Sequence, residues 1–349
     1  MKKIILIAAV AIAAAACSKT FDTNLATEKA IGFGSWAENL TKAYSGTWAD
    51  GESFKVYGTK KTGSNAAITV FNGDVVTYNA STSKWSYTDI KFWDVAADNY
   101  TFYAFLPTSQ FDSGATDGKF TSKLISFDHP QANTEDVMVA SEYSRDKVGT
   151  AMPTGEVQLA FNHASSLIDI YVKKDKSLGD DAVLTVTAAT LKDILYKGTL
   201  SVNSYTSTKP NFSWDQKTDK KDYAASALPV IDSQTTYDAS GDAVSTTPDA
   251  NAMFTSYILM PQTLGDDQKL QISYKIELGG GEATYTRSIA MKDFVKTDNT
   301  SNNDTTIAGW NDGVHYIYYV TIGANAITFT ATVNPWDVTT STGYYYILD

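Results

Sequence analysis

No stretch of this 349-residue chain holds a helical period for three turns, while segment after segment alternates apolar and polar residues and then meets a turn signal. Side chains along a strand point alternately to opposite faces, so such a chain can bury its apolar half only by packing sheets. Phe54, Val56 and Gly58 alternate with Ser53, Lys55 and Tyr57, and Leu270, Ile272, Tyr274 and Ile276 alternate with Gln271, Ser273, Lys275 and Glu277. Residues 316–322 and 327–333 repeat the pattern. Residues 100–106 are apolar on both faces, which predicts a central strand ended by Pro107. Asn72-Gly73, between strand-like runs at 68–71 and 74–78, predicts a type I′ hairpin, since both turn positions need positive φ. Gly279-Gly280-Gly281 predicts a second hairpin, and 183–187 and 191–196 read as separate strands. Residues 203–250 are polar and interrupted by Pro210, Pro229 and Pro248, as surface loops are. The expectation is an all-β protein of two tandem β-sandwiches, at 43–150 and 151–349, with the boundary in the unpatterned segment 144–156.

The N-terminus carries Lys2 and Lys3, an apolar run at 4–16 and then the chain's only cysteine, Cys17, directly after Ala14-Ala15-Ala16. The run is shorter than the ~20 residues of a spanning helix and has the form of a signal peptide. Small residues before a lone cysteine are the pattern of a bacterial lipoprotein, so residues 1–17 read as a leader with Cys17 as the acylated residue. More than one acyl chain makes such an anchor stable. With one cysteine there is no internal disulfide, and the fold depends on its core. The net charge of −11 without a basic cluster argues against nucleic acid and anionic lipid headgroups as partners.

Residues 18–42 read as a polar tether leading into a removable strand. Ile31, Phe33 and Trp36 lie in a short apolar stretch with glycines between them, and Thr41-Lys42-Ala43 follows, with a basic residue right behind the strand. Loss of that strand would leave a groove and an unpaired edge. That combination suggests assembly by strand exchange.

Catalytic patterns are missing. His129, His163 and His315 stand far apart, each read as structural, and there is no zinc-binding helix motif, paired-cysteine motif, phosphate loop or serine elbow. The loop with Asp298, Asn299, Asn302, Asn303 and Asp304 is rich in oxygen ligands without the spacing of a calcium-binding EF-hand. Asp169, on an otherwise apolar strand, is expected on the solvent face. Trp48, Trp85, Trp93, Trp214, Trp310 and Trp336 sit in strand patterns, where packing is a commoner role than stacking on sugars. No enzyme activity, cofactor or metal is expected.

With these residues laid out, the chain resembles the fimbrillin family, the Bacteroidetes-type or type V pilins also called Mfa-like. The blocks that carry the resemblance are Ile31-Gly32-Phe33, Thr41-Lys42-Ala43, Phe54-Lys55-Val56-Tyr57-Gly58, Trp85-Ser86-Tyr87, Phe92-Trp93 and the run from Tyr100 to Pro107. Leu159-Ala160-Phe161-Asn162-His163-Ala164, the run from Trp310 to Tyr318 and Val333-Asn334-Pro335-Trp336 complete the series. The resemblance implies two transthyretin-like β-sandwiches, export to the outer membrane as a lipoprotein, cleavage by a trypsin-like or arginine-specific protease, and a place in a cell-surface fimbrium. It implies donor-strand exchange with other pilus subunits, the donor being the C-terminal strand; here Tyr344, Tyr345, Tyr346, Ile347 and Leu348 are the candidates, with 327–333 as a second source. The cut that the resemblance implies falls between Lys42 and Ala43 and releases residues 17–42 with the lipid; Lys42 stands where arginine is usual. The alternative reading is a non-polymerising surface lipoprotein or tip adhesin that binds a glycan or protein receptor on a host or bacterial surface.

Overall fold

The computed structural model describes residues 30–36, 48–108, 111–116, 119–124, 127–128, 136–140, 142–147, 155–204, 210–216, 219–232, 236–237, 243–244, 251–296 and 305–336. Among these residues there is no α-helix. The first sheet is built from β1 (Phe33–Trp36), β2 (Ser53–Lys61), β3 (Ile68–Asn79), β4 (Lys84–Ser86), β5 (Asn99–Leu106), β6 (Met138–Ala140), β7 (Tyr143–Asp146) and β8 (Val157–His163). Their order is β1-β8-β6-β5-β2-β3-β4, with β7 also on β5.

The doubly apolar β5 is central, as its sequence predicts, with β2 on one side and β6 and β7 on the other. Its alternate residues serve two cores. Phe102 and Ala104 join Phe54, Val56, Phe71, Val157 and Leu159 in one. Tyr103 and Phe105 join Tyr57, Val139, Leu200 and Val202 in the other.

The Asn72-Gly73 signal has a different outcome. β3 runs unbroken through it, and Gly73, at φ 82°, is the extra residue of a bulge between the pairs Val56↔Asp74 and Tyr57↔Asn72. A glycine bulge and a type I′ turn both require positive φ, so the dipeptide alone does not separate them. The segments 183–187 and 191–196 are likewise not separate strands, because a bulge between Val186 and Ala188 joins them into one. The turn at Gly279 and Gly280 forms as expected, with Leu278 paired to Gly281 and φ of 58° and 81° at the turn.

The remaining long strands are β9 (Ser166–Lys174), β10 (Val183–Leu195), β11 (Lys197–Ser204), β12 (Asn211–Gln216), β13 (Lys220–Ala224), β14 (Ala252–Leu259), β15 (Lys269–Leu278), β16 (Gly281–Ala290), β17 (Val314–Ile322) and β18 (Ile327–Pro335). One sheet runs β14-β9-β17-β18 and continues through Val295–Lys296 and Thr305–Thr306; the other runs β13-β10-β15-β16. Ile168, Ile170, Val172, Leu184, Leu191, Ile272, Phe254, Tyr318 and Val320 fill the space between them.

Residue 150 does not separate the sheets. β8 lies beyond it yet pairs with β6 and β1 in the first sheet. β11 pairs with Phe127–Asp128 and, at Ser201, with Lys123 from before it. The chain passes from the first sheet to the second at Ala164 and Ser165, between β8 and β9.

Gly73 and Gly280 differ in their surroundings. A Cβ at Gly73 would lie 2.9 Å from the Tyr57 hydroxyl, and one at Gly280 would meet nothing. Gly280→Ala is expected to destabilise by about 1–2 kcal/mol for the left-handed backbone alone. Gly73→Ala adds a displaced Tyr57, for about 2–4 kcal/mol in total. Urea denaturation midpoints of the two variants check the difference.

Candidate functional site: the seam closed by the first strand

β1 lies parallel to β8, with Phe33 opposite Val157, Gly34 opposite Gln158, Ser35 opposite Leu159 and Trp36 opposite Ala160. The Val157 amide donates to the Gly32 carbonyl at 2.8 Å. On its other side the strand meets the chain that follows β4. Ala30 bridges Phe92, the Ile31 amide donates to the Lys91 carbonyl at 2.8 Å, and the Tyr87 hydroxyl donates to the Ile31 carbonyl at 2.7 Å. The first strand therefore closes a seam between β8 and residues 87–92. These flanking residues carry exposed Ile90 and Phe92.

Alternation decides which groups enter. Ile31 and Phe33 point inward and are buried. The Phe33 ring is met edge-on by Phe71 at 5.4 Å, Tyr87 at 5.7 Å, Phe54 at 6.0 Å and Phe102 at 6.2 Å. Such edge-to-face contacts contribute about 0.5–1.5 kcal/mol each beyond area burial. The outward positions are glycines under long neighbouring side chains: a Cβ at Gly34 would lie 2.7 Å from the Glu156 carboxylate, and one at Gly32 3.4 Å from Glu156 Cγ.

Of the residues singled out in the sequence, Ile31 and Phe33 lie in this seam, with the backbone of Trp36 at its end. Cys17, Lys42, Ala43, Tyr344, Tyr345, Tyr346, Ile347, Leu348, His129 and the 298–304 loop fall outside the described residues. The chain leaves β1 opposite Ala160 and returns at Trp48, whose ring packs 4.7 Å from Trp85 and 6.0 Å from Phe161. Both ends of the segment holding Lys42 thus sit at the same end of β8.

The two described histidines have structural partners. His163 Nδ1 pairs with the buried Asp136 carboxylate, and its ring lies flat on Trp336, centroids 3.8 Å apart. His315 Nε2 pairs with Asp169 Oδ2 at 2.8 Å, and Asp169 Oδ1 accepts the Ser256 amide. The expectation of a solvent-facing Asp169 is therefore corrected. It is buried mid-sheet on β9, between β14 and β17, and an imidazole and a backbone amide satisfy its carboxylate. No group of three metal-ligating side chains occurs among the described residues. The six tryptophans singled out above have packing or hydrogen-bond partners. Trp93, Trp310 and Trp336 are buried, Trp310 Nε1 donates to Tyr318 Oη at 2.7 Å and Trp214 Nε1 to the Ala164 carbonyl at 2.8 Å. Tyr87 was not legible as a site residue; it stands just past β4, and only the fold brings its hydroxyl to Ile31.

A family model described as fimbrillin-like matches residues 41–336. The chain is 24% identical over 284 residues to the fimbrium subunit Fim1C of Phocaeicola vulgatus, covering 73% of this chain and 72% of that protein. The fold is similar to the crystal structure of a fimbrial protein from Bacteroides vulgatus, with a TM-score of 0.56 at 18% identity over 88% of this chain and 99% of the other.

Two measurements probe the seam in the uncut chain. Phe33→Ala is expected to lower unfolding stability by about 3–5 kcal/mol, as for other buried rings, read by denaturation. Burial first, and then the Asp74 carboxylate, raise the Tyr87 pKa above its ordinary 10.0, against the backbone hydrogen bond with Lys91. The folded chain thus keeps a proton that the unfolded chain releases near 10.0. This stability is complete below that pH and is lost as pH climbs through the raised value. The stability advantage of wild type over Tyr87→Phe is therefore expected to stay constant at neutral pH and shrink above pH 10.0.

Proposed function

The chain belongs to the fimbrillin-like family, and from that premise we propose that it is a structural subunit of a cell-surface pilus that is exported on a lipid, cut behind its first strand and polymerised by strand exchange. In this reading Cys17 carries the acyl anchor in the outer membrane, and a trypsin-like protease cuts between Lys42 and Ala43. The vacated seam then accepts the C-terminal strand of another subunit, with Tyr344 to Leu348 as the donor. Two sandwiches are retained, with the change-over drawn at Ala164.

One observation carries the proposal: a single short strand closes the seam. Its loss would unpair the Val157 amide, take the Ile31 amide from the Lys91 carbonyl and leave the four rings around Phe33 without their centre. A buried polar group without a partner costs about 1–3 kcal/mol, and an apolar hollow adds to that. A strand from outside restores both at once. A head-to-tail contact of this kind does not close on itself, so it builds a filament. The attachment of both ends of segment 37–47 near Ala160 and Phe161 suits a cut there, which frees the first strand and severs no other described strand.

The test is mass analysis of the N-terminus of protein sheared from cells, for wild type and Lys42→Ala. A wild-type terminus at Ala43, with Lys42→Ala retained in the membrane and absent from filaments, is the expected result. Acylated Cys17 on all of the wild-type protein would overturn the reading.

A further inference from the structure

We propose that the vacated seam reads its incoming strand at two points, a backbone clamp and a single ring pocket two residues along, and that the ring it takes is Tyr344 of a second copy. This rests on the strand-exchange reading above and specifies which residue of the donor sets its register.

The clamp is Tyr87 with Lys91. Together they hold both backbone groups of the residue at the Ile31 position, its amide through the Lys91 carbonyl and its carbonyl through the Tyr87 hydroxyl. The Lys91 amide also donates to the Tyr87 oxygen at 3.3 Å, so the flanking chain holds this hydroxyl whether or not a strand is present. A residue seated here needs an N–H, which excludes proline. The pocket is the space of the Phe33 ring, walled edge-on by Phe54, Phe71, Tyr87 and Phe102. One alternation separates clamp from pocket, so the two together fix the register, and a slip by one residue would turn the ring outward.

The outer face adds a size rule. The crowding is at Gly34, where a Cβ would meet the ends of Glu156 and Gln158, whereas at Gly32 the nearest atom, Glu156 Cγ, is 3.4 Å away, so a small residue fits best at the Gly34 place. Among residues 337–349 the rings are Tyr344, Tyr345 and Tyr346, and only Tyr344 has a glycine neighbour, Gly343. In the direction of the native first strand, Thr342 takes the clamp, Gly343 the Gly32 place and Tyr344 the pocket. Tyr345 then takes the crowded Gly34 place, where even its Cβ displaces the side-chain ends of Glu156 and Gln158. In the opposite direction Tyr344 still fills the pocket and Gly343 falls at the Gly34 place, which is the direction the size rule favours. The walls offer the phenol hydroxyl one polar group, Tyr87, which already bonds to the Lys91 amide. The pocket therefore favours phenylalanine over tyrosine.

The test uses the full chain with Cys17→Ser and a protease recognition sequence placed within residues 37–47, nicked after folding so that the first strand remains bound without a covalent link. Labelled synthetic peptides of residues 337–349 then compete for the seam. Tyr344→Ala is expected to weaken capture at least about tenfold, the loss of one well-packed ring. Tyr345→Ala should change it less than about threefold, since its side chain lies outward. Tyr344→Phe should be captured as tightly as the natural peptide or more tightly. Tyr87→Phe in the nicked protein should weaken every peptide alike. Greater dependence on Tyr345 than on Tyr344, or capture indifferent to Tyr344, overturns the proposal and leaves strand exchange standing. If a peptide of residues 31–36 rebinds and no 337–349 peptide does, the C-terminal donor is wrong and this proposal falls with it.

Discussion

The first half of the fold depends on how one ring is enclosed. Phe33 stands where β2, β3 and β5 each send an aromatic residue, and Tyr87 closes the ring of neighbours from beyond β4. None of these groups lies close to Phe33 in the chain. The strand that carries Phe33 is short, paired to β8 over four residues, and side-chain burial adds to what its backbone pairing supplies. Fully burying a phenylalanine contributes about 1.5–3 kcal/mol by area. For a short strand at a sheet edge this exceeds the ~1 kcal/mol net of an average hydrogen bond.

The two halves of the chain are joined by contacts that no reading of strand patterns anticipates. The Trp214 indole donates to the carbonyl of Ala164, where the chain passes between sheets. His163, the last residue of β8, lies under Trp336, just past β18. Leu200 and Val202 of β11 pack on the face of β5 that Tyr103 and Phe105 present. Trp336 is buried with Leu167 and Ile258 and stacks on His163 of β8, the partner strand of β1.

Much of this fold could be read from residue order. Alternation gave the strands, the double apolar character of Tyr100 to Leu106 identified the central one, and the three glycines at 279–281 marked their hairpin. Three readings failed for physical reasons. Asn72-Gly73 reports a backbone demand that a bulge also meets. Residues 183–187 and 191–196 read as two strands because a bulge interrupts alternation as a strand end does. Val157, Leu159 and Phe161 alternate equally well for either sheet, so residue order does not say which sheet β8 joins. Asp169 looked like a solvent residue because its partner, His315, is distant in sequence and becomes its neighbour only through the parallel pairing of β9 and β17. At the seam, the alternating apolar residues Ile31 and Phe33 were legible. Tyr87 was not, because a hydroxyl that reaches across to another strand leaves no periodic trace.

The parallel lie of β1 along β8 also has a mechanical meaning. A strand seated in that seam is bonded along its length on one side and gripped at Ile31 on the other, with a ring set broadside to its axis. Tension along the strand would load these contacts together, in shear, whereas a sideways pull would peel them one at a time. Resistance to force is governed by the rate of rupture rather than by equilibrium stability. A seam filled in this manner can therefore hold under axial load well beyond what its short length implies.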